Sequence, residues 1–133
     1  MSYLDDKITT EEFINTRGAL KTKKLARWSL HLFDLFTKDT LDGKSCEQVV
    51  LDLEKEIAKD GKNDRLFILT NKFIQWLQED HEDIKVKSSN HEVFIRKHTS
   101  GSIRLAISTV RAYYEEFGQI DYPDRKWRRM VRL

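Results

Sequence analysis

The 133-residue sequence has few residues of the kinds that break regular structure or cross-link a chain. One proline and five glycines exclude collagen-like and low-complexity chains, and they argue against a β-sandwich, which needs frequent turn residues. A single cysteine, Cys46, excludes an internal disulfide and a thiolate metal cluster. No run approaches the roughly 18 apolar residues of a membrane span, and the acidic N-terminus does not fit a secretory signal. We expect a helical, cytoplasmic protein.

Positive and negative residues are sorted along the chain, although the net charge is only +2. Three segments contain no aspartate or glutamate: residues 13–33, 93–114 and 125–133. Together they hold 14 of the 24 lysines and arginines, so the rest of the chain is strongly acidic. Segments that converged in the fold would form a basic surface suited to a polyanion, with an acidic back. The alternative is that each segment is an ordinary solvated face.

Apolar spacing at the helical period predicts five helices and no internal domain boundary. The predicted elements are Lys23–Phe36 capped by Thr22, Ser45–Lys59 capped by Ser45 and ended by Gly61, Arg65–Glu79 capped by Asp64, a helix from Ser100 or Ser102 to Phe117 with Gly118 beyond its end, and Asp124–Val131 with Pro123 in its first turn. Residues Lys85–Asn90 suggest a loop, and Val93–Ile95 fits either a strand or a helical turn.

The predicted fold class is therefore all-α, a compact bundle of four to five helices. Residues 1–12 form an acidic tail in this interpretation, residues 13–124 form the domain, and residues 125–133 form a basic helix or linker.

Catalytic motifs are absent or incomplete. Gly43-Lys44-Ser45 matches the end of a phosphate-binding loop, but position 38 is a lysine where the motif needs glycine. The four histidines have no i, i+4 pairing with a carboxylate ligand, so we expect no metal. Cys46 stands near a helix start, where a thiolate is favoured, but no partner for it can be placed. We expect neither catalysis by this chain nor a cofactor.

Two predicted helix starts combine the groups that bind phosphate: basic side chains, hydroxyls and the positive end of the helix dipole. The first set is Arg17, Lys21, Thr22, Lys23, Lys24 and Arg27; the second is Arg96, Lys97, Thr99, Ser100, Ser102 and Arg104. Two normally capped helices with basic flanks are the alternative.

Two further basic groups extend the candidate DNA-binding set. On the fourth predicted helix, Arg104, Ser108 and Arg111 share a polar edge that could enter a major groove. Near the C-terminus stand Arg125, Lys126 and Arg128, with Trp127 among them as an expected core anchor.

Several segments resemble the core-binding, SAM-like domain of tyrosine recombinases, the phage-type integrases. The resemblance lies in Phe13–Arg17, Lys21–Lys24, the Trp28–Phe36 stripe, Phe73–Leu77, Thr99–Ile103 and above all Ala106–Gly118, and it is nearest to archaeal and archaeal-virus integrases. It covers roughly residues 13–124, with 46–62 as an extended or inserted helix.

The resemblance implies a helical domain that forms half of a clamp on duplex DNA while a separate domain cleaves the strands. No histidine here has an arginine three residues later, so the family's catalytic His-x-x-Arg pair is missing. The expected function is duplex DNA binding near the nucleoid, with other recombinase protomers as further partners and no membrane or small-molecule substrate. The alternatives are a small helical protein–protein adaptor that binds a basic partner, and a small enzyme that uses Cys46.

Overall fold

The computed structural model describes residues 8–88 and 91–131, which form six helices and a two-stranded antiparallel sheet. The helices are α1 Thr10–Asn15, α2 Leu20–Thr40, α3 Cys46–Asp60, α4 Asp64–Leu77, α5 Ser100–Glu116 and α6 Asp124–Met130; the strands are β1 His81–Ser88 and β2 His91–Ile95. The prediction of a helical bundle is confirmed for most of the chain. It is wrong between α4 and α5, where the sheet makes the fold not purely all-α.

An aromatic core joins α2, α4 and α5, and α2 packs most extensively on α5. The Phe33 ring lies 5.1 Å from that of Phe73 and 6.0 Å from that of Tyr114, centroid to centroid. Phe36 lies 5.2 Å from Phe73 and 6.0 Å from Trp76. All five side chains are buried. Each contributes about 1.5–3 kcal/mol or more on leaving water, so this cluster fixes how the three helices sit.

Helix α2 is longer than its apolar stripe predicted. It begins at Leu20, after Ala19, so Thr22 lies inside the helix and is not its N-cap. Leu20 is 69% exposed, which is why periodic burial does not mark the start. Lysine, leucine and alanine have high helix propensity and carry the helix beyond its buried face.

The other helix starts were predicted with mixed success. Ser45 caps α3 by accepting the Gln48 N–H, as predicted, and Gly61 ends it at φ 69°. For α5 the cap is Thr99, not Ser100 or Ser102, because the Thr99 hydroxyl accepts the Ser102 N–H. The N-cap of α4 is Asn63, one residue before the predicted Asp64, and Pro123 is the N-cap of α6 instead of a residue of its first turn.

The C-terminus of α5 differs from the prediction for Gly118. Gln119, and not Gly118, has the left-handed backbone, with φ 55°. Gly118 is needed for a different reason: a Cβ at this position would lie 2.5 Å from Val50 Cγ1 and 2.9 Å from the Tyr114 carbonyl oxygen. The glycine therefore allows α3 and the end of α5 to approach closely.

The β1–β2 hairpin occupies a segment that we expected to be partly a loop. Lys85 pairs with Phe94, Val86 with Val93 and Lys87 with Glu92, and the register shifts between His81 and Lys85. The predicted loop over 85–90 is thus strand as far as residue 88, and its last two residues lie outside the described part. Residues 93–95, left open between strand and helical turn, belong to β2.

At the chain ends, α1 spans the boundary that we placed between the acidic tail and the domain. Phe13 and Ile14 of α1 are buried, and the Phe13 ring packs edge-on against Tyr113 at 5.2 Å. Residues 1–7 of the expected tail, and residues 132 and 133 of the basic C-terminal segment, lie outside the description. In the described residues, no helix combines the length and the apolar character that a membrane crossing requires.

Candidate nucleic-acid interface

The first turns of α2 carry three lysines: Lys21, Lys23 and Lys24. Lys21 and Lys24 are exposed, and Lys23 is half-buried. Within residues 8–88 and 91–131, no carboxylate forms an ion pair with any of them. Lysines at a helix N-terminus face the positive end of the helix dipole, which disfavours them. The start of α2 is therefore positive both in its side chains and in its backbone.

Of the six described helices, α2 and α5 differ from the rest in having no acidic residue in the first turn. The other four carry acids there: Glu11 and Glu12 in α1, Glu47 in α3, Asp64 in α4 and Asp124 in α6. A carboxylate in the first turn compensates the dipole by about 0.3–1 kcal/mol. The N-termini of α2 and α5 lack this compensation, which makes them the more suitable ends for an anion.

The start of α5 lies beside the third turn of α2, and not beside its first turn. The Trp28 ring of α2 packs edge-on against the His98 ring at 5.8 Å, and His98 precedes the first residue of α5 by two positions. Trp28 lies eight residues after the start of α2, which is about 12 Å along the axis. His98 is fixed in place by its backbone N–H, which donates to the Leu77 carbonyl at 2.8 Å.

The start of α5 is accessible. Ser100 and Gly101 are exposed, and a Cβ built on Gly101 would meet no atom within 4 Å. The Lys97 side chain is also exposed, whereas its backbone N–H donates to Asp80 at 2.8 Å. A ligand phosphate would thus find open backbone and a nearby ammonium at this end of α5.

Two predicted arginines of the first basic segment have carboxylate partners within the protein. Arg17 pairs with Glu116 at 2.5 Å and lies over the Phe13 ring. Arg27 binds Glu11 with both terminal nitrogens, at 2.6 and 3.1 Å, and this hydrogen bonding holds the pKa of Glu11 below its usual value. These two side chains join helices of the fold and are less available to a ligand than the lysines beside them.

A third predicted arginine with carboxylate partners is Arg111 of α5, in the second basic segment. Its side chain contacts α6. Its guanidinium pairs with Glu115 at 3.1 Å and with Asp124, and it lies 5.0 Å from the Trp127 ring centroid. Hydrogen bonding from Arg111 lowers the pKa of Asp124. Trp127 also packs on Tyr122 at 5.2 Å, in agreement with its expected anchoring role.

The rest of the polar edge of α5 also has partners within the protein. The Ser108 hydroxyl donates to the Arg104 carbonyl at 2.8 Å, and the Arg104 side chain donates to the Val131 carbonyl at 3.3 Å. The second and third basic segments therefore meet where α5 and α6 pack. Beside this contact, Asp124, Arg125, Arg128 and Arg129 line an open concavity of about 400 Å³, and Lys126 lies over Phe67.

The sequence prediction omitted two basic side chains of the hairpin, Lys85 and Lys87, which lie near the predicted Arg96. The first two are on β1, and Arg96 follows β2; all three are exposed. The alternation of Ile84, Lys85, Val86 and Lys87 was the signal for a strand with one polar face. Only four residues show this alternation, and the acidic residues that precede them make the pattern hard to recognise.

The alternative sites have less support. Cys46 is buried, and burial, reinforced by the Asp34 charge, raises the pKa of its thiol to about 12, contrary to the thiolate expected at a helix start. No cluster of three or more potential metal ligands occurs among the residues that the structure describes. A groove of about 350 Å³ between α3 and α4 has paired charges on its rim, Lys44 with Asp52 and Arg65 with Glu56.

No family model, no curated protein and no solved structure matches this chain. The resemblance to tyrosine recombinases therefore rests on the sequence segments described above and stays a prediction.

Proposed function

We propose that this chain binds duplex DNA as the core-binding domain of a tyrosine recombinase. Contact is made through the lysine surface, by which we mean Lys21, Lys23 and Lys24 of α2 with Lys97 and the N-terminus of α5. One observation carries the proposal. Among the described helices, α2 and α5 alone lack a first-turn acid, and α2 adds three lysines there with which no described carboxylate forms an ion pair.

The lysine surface suits the DNA backbone. Phosphate contacts come from lysine side chains and from backbone N–H groups at helix N-termini. The α2 lysines and the start of α5 therefore offer two separate contacts for the phosphates of one duplex.

The paired arginines have a different role in this proposal. Arg17, Arg27 and Arg111 hold α1, α2, α5 and α6 in their relative positions through Glu116, Glu11 and Asp124. They support the surface and contact DNA less than the α2 lysines do. Strand cleavage belongs to a separate recombinase domain, which the family resemblance implies and whose catalytic motif this sequence lacks.

Salt-dependent binding to duplex DNA tests the proposal. Fluorescence anisotropy with a labelled duplex gives the slope of log K against log salt, which changes by about 0.9 for each phosphate neutralised. Replacing Lys21, Lys23 and Lys24 with alanine should weaken binding and make this slope less steep by up to roughly 2.7. The matched control replaces Lys55, Lys59 and Lys62, which are exposed on and after α3, and removes the same charge.

The outcomes separate a local surface from net charge. If both triple variants lose affinity and slope equally, only the overall charge matters and the lysine surface is wrong. If the wild-type chain does not bind duplex DNA at about 50 mM salt, where phosphate contacts are strong, the proposed function is wrong. A second comparison uses single variants: Lys24→Ala should weaken binding more than Arg27→Ala, because Glu11 already neutralises Arg27.

A further inference from the structure

The β1–β2 hairpin has two chemically different faces. Ile84 and Val86 pack against the core and Ile95 is buried, so one face anchors the hairpin to the helices. Because directly paired residues of an antiparallel ladder lie on the same face, Lys85 and Phe94 share the other face, as do Lys87 and Glu92. Arg96, two residues after Phe94, continues that face.

Phe94 holds two of these cations in position. The Lys85 ammonium lies 5.4 Å from its ring centroid and the Arg96 guanidinium lies 5.0 Å from it. Such cation–π contacts restrain long side chains that would otherwise move freely in solvent. Within the described residues, no carboxylate forms an ion pair with Lys85, Lys87 or Arg96, although Glu92 stands opposite Lys87 in the register.

Two of the three acids of the hairpin stand apart from these cations, and the third, Glu92, shares the face of Lys87. Glu82 and Asp83 are in the irregular stretch between the two registers, next to the end of α4. The cations occupy the regular part of the ladder and the residue that follows it. The outward face there is therefore positive, even though the hairpin as a whole is close to neutral.

The positive face leads directly to the lysine surface. Arg96 is followed by Lys97, and His98 packs on Trp28 of α2. The Lys97 and His98 backbone N–H groups donate to Asp80 and to the Leu77 carbonyl, which fixes this link to the end of α4. The hairpin cations thus extend the basic surface at the N-terminus of α5.

We propose that the outward face of the hairpin, Lys85, Lys87, Phe94 and Arg96, is a second contact for the duplex DNA backbone. It contacts phosphates adjacent to those held by the lysine surface. Phe94 is a positioning residue that keeps Lys85 and Arg96 directed at the backbone. The inference rests on the proposed function, because the same duplex occupies both surfaces.

The test compares two double variants in the same salt titration. Lys85→Ala with Arg96→Ala should weaken duplex binding and make the salt slope less steep by roughly 1.8, at 0.9 for each phosphate. The control, Lys55→Ala with Lys59→Ala, removes the same charge from α3 and should leave most of the slope unchanged. Circular dichroism and the melting temperature show whether each variant is folded.

A third variant separates positioning from charge and from folding. Phe94→Leu keeps an apolar side chain and all the cations, so it should reduce affinity about twofold to fivefold, the value of one exposed cation–π contact, with an unchanged salt slope. An affinity equal to that of the wild type would overturn the positioning role of Phe94.

The results distinguish this inference from the proposed function. Suppose that the wild type binds DNA, that the α2 triple variant has a less steep salt slope, and that the hairpin double variant behaves like its control. The hairpin contact is then wrong and the lysine surface stands. If only the hairpin variant loses slope, the hairpin contact stands and the lysine surface is wrong. If the wild type does not bind duplex DNA, both are wrong.

Discussion

Replacing Gly118 with alanine tests the close packing of α3 on the end of α5. The added Cβ would lie 2.5 Å from Val50 Cγ1 and 2.9 Å from the Tyr114 carbonyl oxygen, and Val50 is fully buried. Neither atom is the far end of a flexible side chain, so the packing has to shift. Overpacking of this kind costs about 1–3 kcal/mol. Alanine also restricts the unfolded chain, which stabilises the folded protein by about 0.4–1 kcal/mol, so we expect a net loss of about 1–2 kcal/mol in the free energy of unfolding.

Gly101→Ala is the matched control. Gly101 is in the first turn of α5, and a Cβ there meets nothing within 4 Å. Alanine is the better helix former by up to about 1 kcal/mol, so this variant should be neutral or slightly stabilised. Urea unfolding followed by circular dichroism gives both free energies. In thermal melts, Gly118→Ala should lower Tm by about 4–8 °C.

A double-mutant cycle with Val50→Ala tests whether contact with the Val50 side chain is what destabilises Gly118→Ala. Removing the Val50 methyl groups costs about 2 kcal/mol by itself, but it makes room for the new Cβ. Gly118→Ala should therefore cost at least about 1 kcal/mol less in the Val50→Ala background than in the wild type. If its cost is the same in both backgrounds, or if Gly118→Ala and Gly101→Ala change stability equally, the close approach of α3 and α5 is not the reason for this glycine.

Two further predictions concern single positions. Gln119 has a left-handed backbone at φ 55°, so Gln119→Gly should stabilise the protein by about 0.5–1 kcal/mol in urea unfolding; a destabilised variant would mean that the Gln119 side chain is needed. The Cys46 thiol is buried and its pKa is raised to about 12, so little thiolate forms at pH 8. A disulfide reagent should therefore react with it at least roughly a hundredfold more slowly in the folded protein than in denaturant. Equal rates would contradict the buried, protonated thiol.

Sequence reasoning succeeded where the signal was local. The Ser45 cap and the Gly61 stop of α3 are decided by groups a few residues apart, and both were predicted. Gly118 was also recognised as special, but for the wrong reason, because its constraint comes from Val50, which is 68 positions earlier in the sequence. The hairpin was missed because its alternating stretch is short and its stability depends on packing Ile84 and Val86 against helices.

The candidate site was predicted only as a set of basic segments. Which cations have internal partners depends on carboxylates far along the chain: Glu116 is 99 residues from Arg17, and Asp124 is 13 residues from Arg111. No spacing rule connects such pairs. The sequence prediction therefore did not distinguish arginines from lysines. In the fold, Arg17, Arg27 and Arg111 have carboxylate partners. Among the described residues, no carboxylate pairs with Lys21, Lys23 or Lys24.

This division between arginine and lysine bears on how the protein would read DNA. Arginine distinguishes guanine by a two-pronged hydrogen bond in the major groove, whereas lysine acts on phosphate as a point charge. Arg111, one of the α5 arginines predicted to enter a major groove, is held by Glu115, Asp124 and Trp127. A surface built mainly from lysines and helix N-termini gives affinity and orientation with little base discrimination. On the proposed function, sequence preference then has to come from DNA shape or from the domain that carries the chemistry.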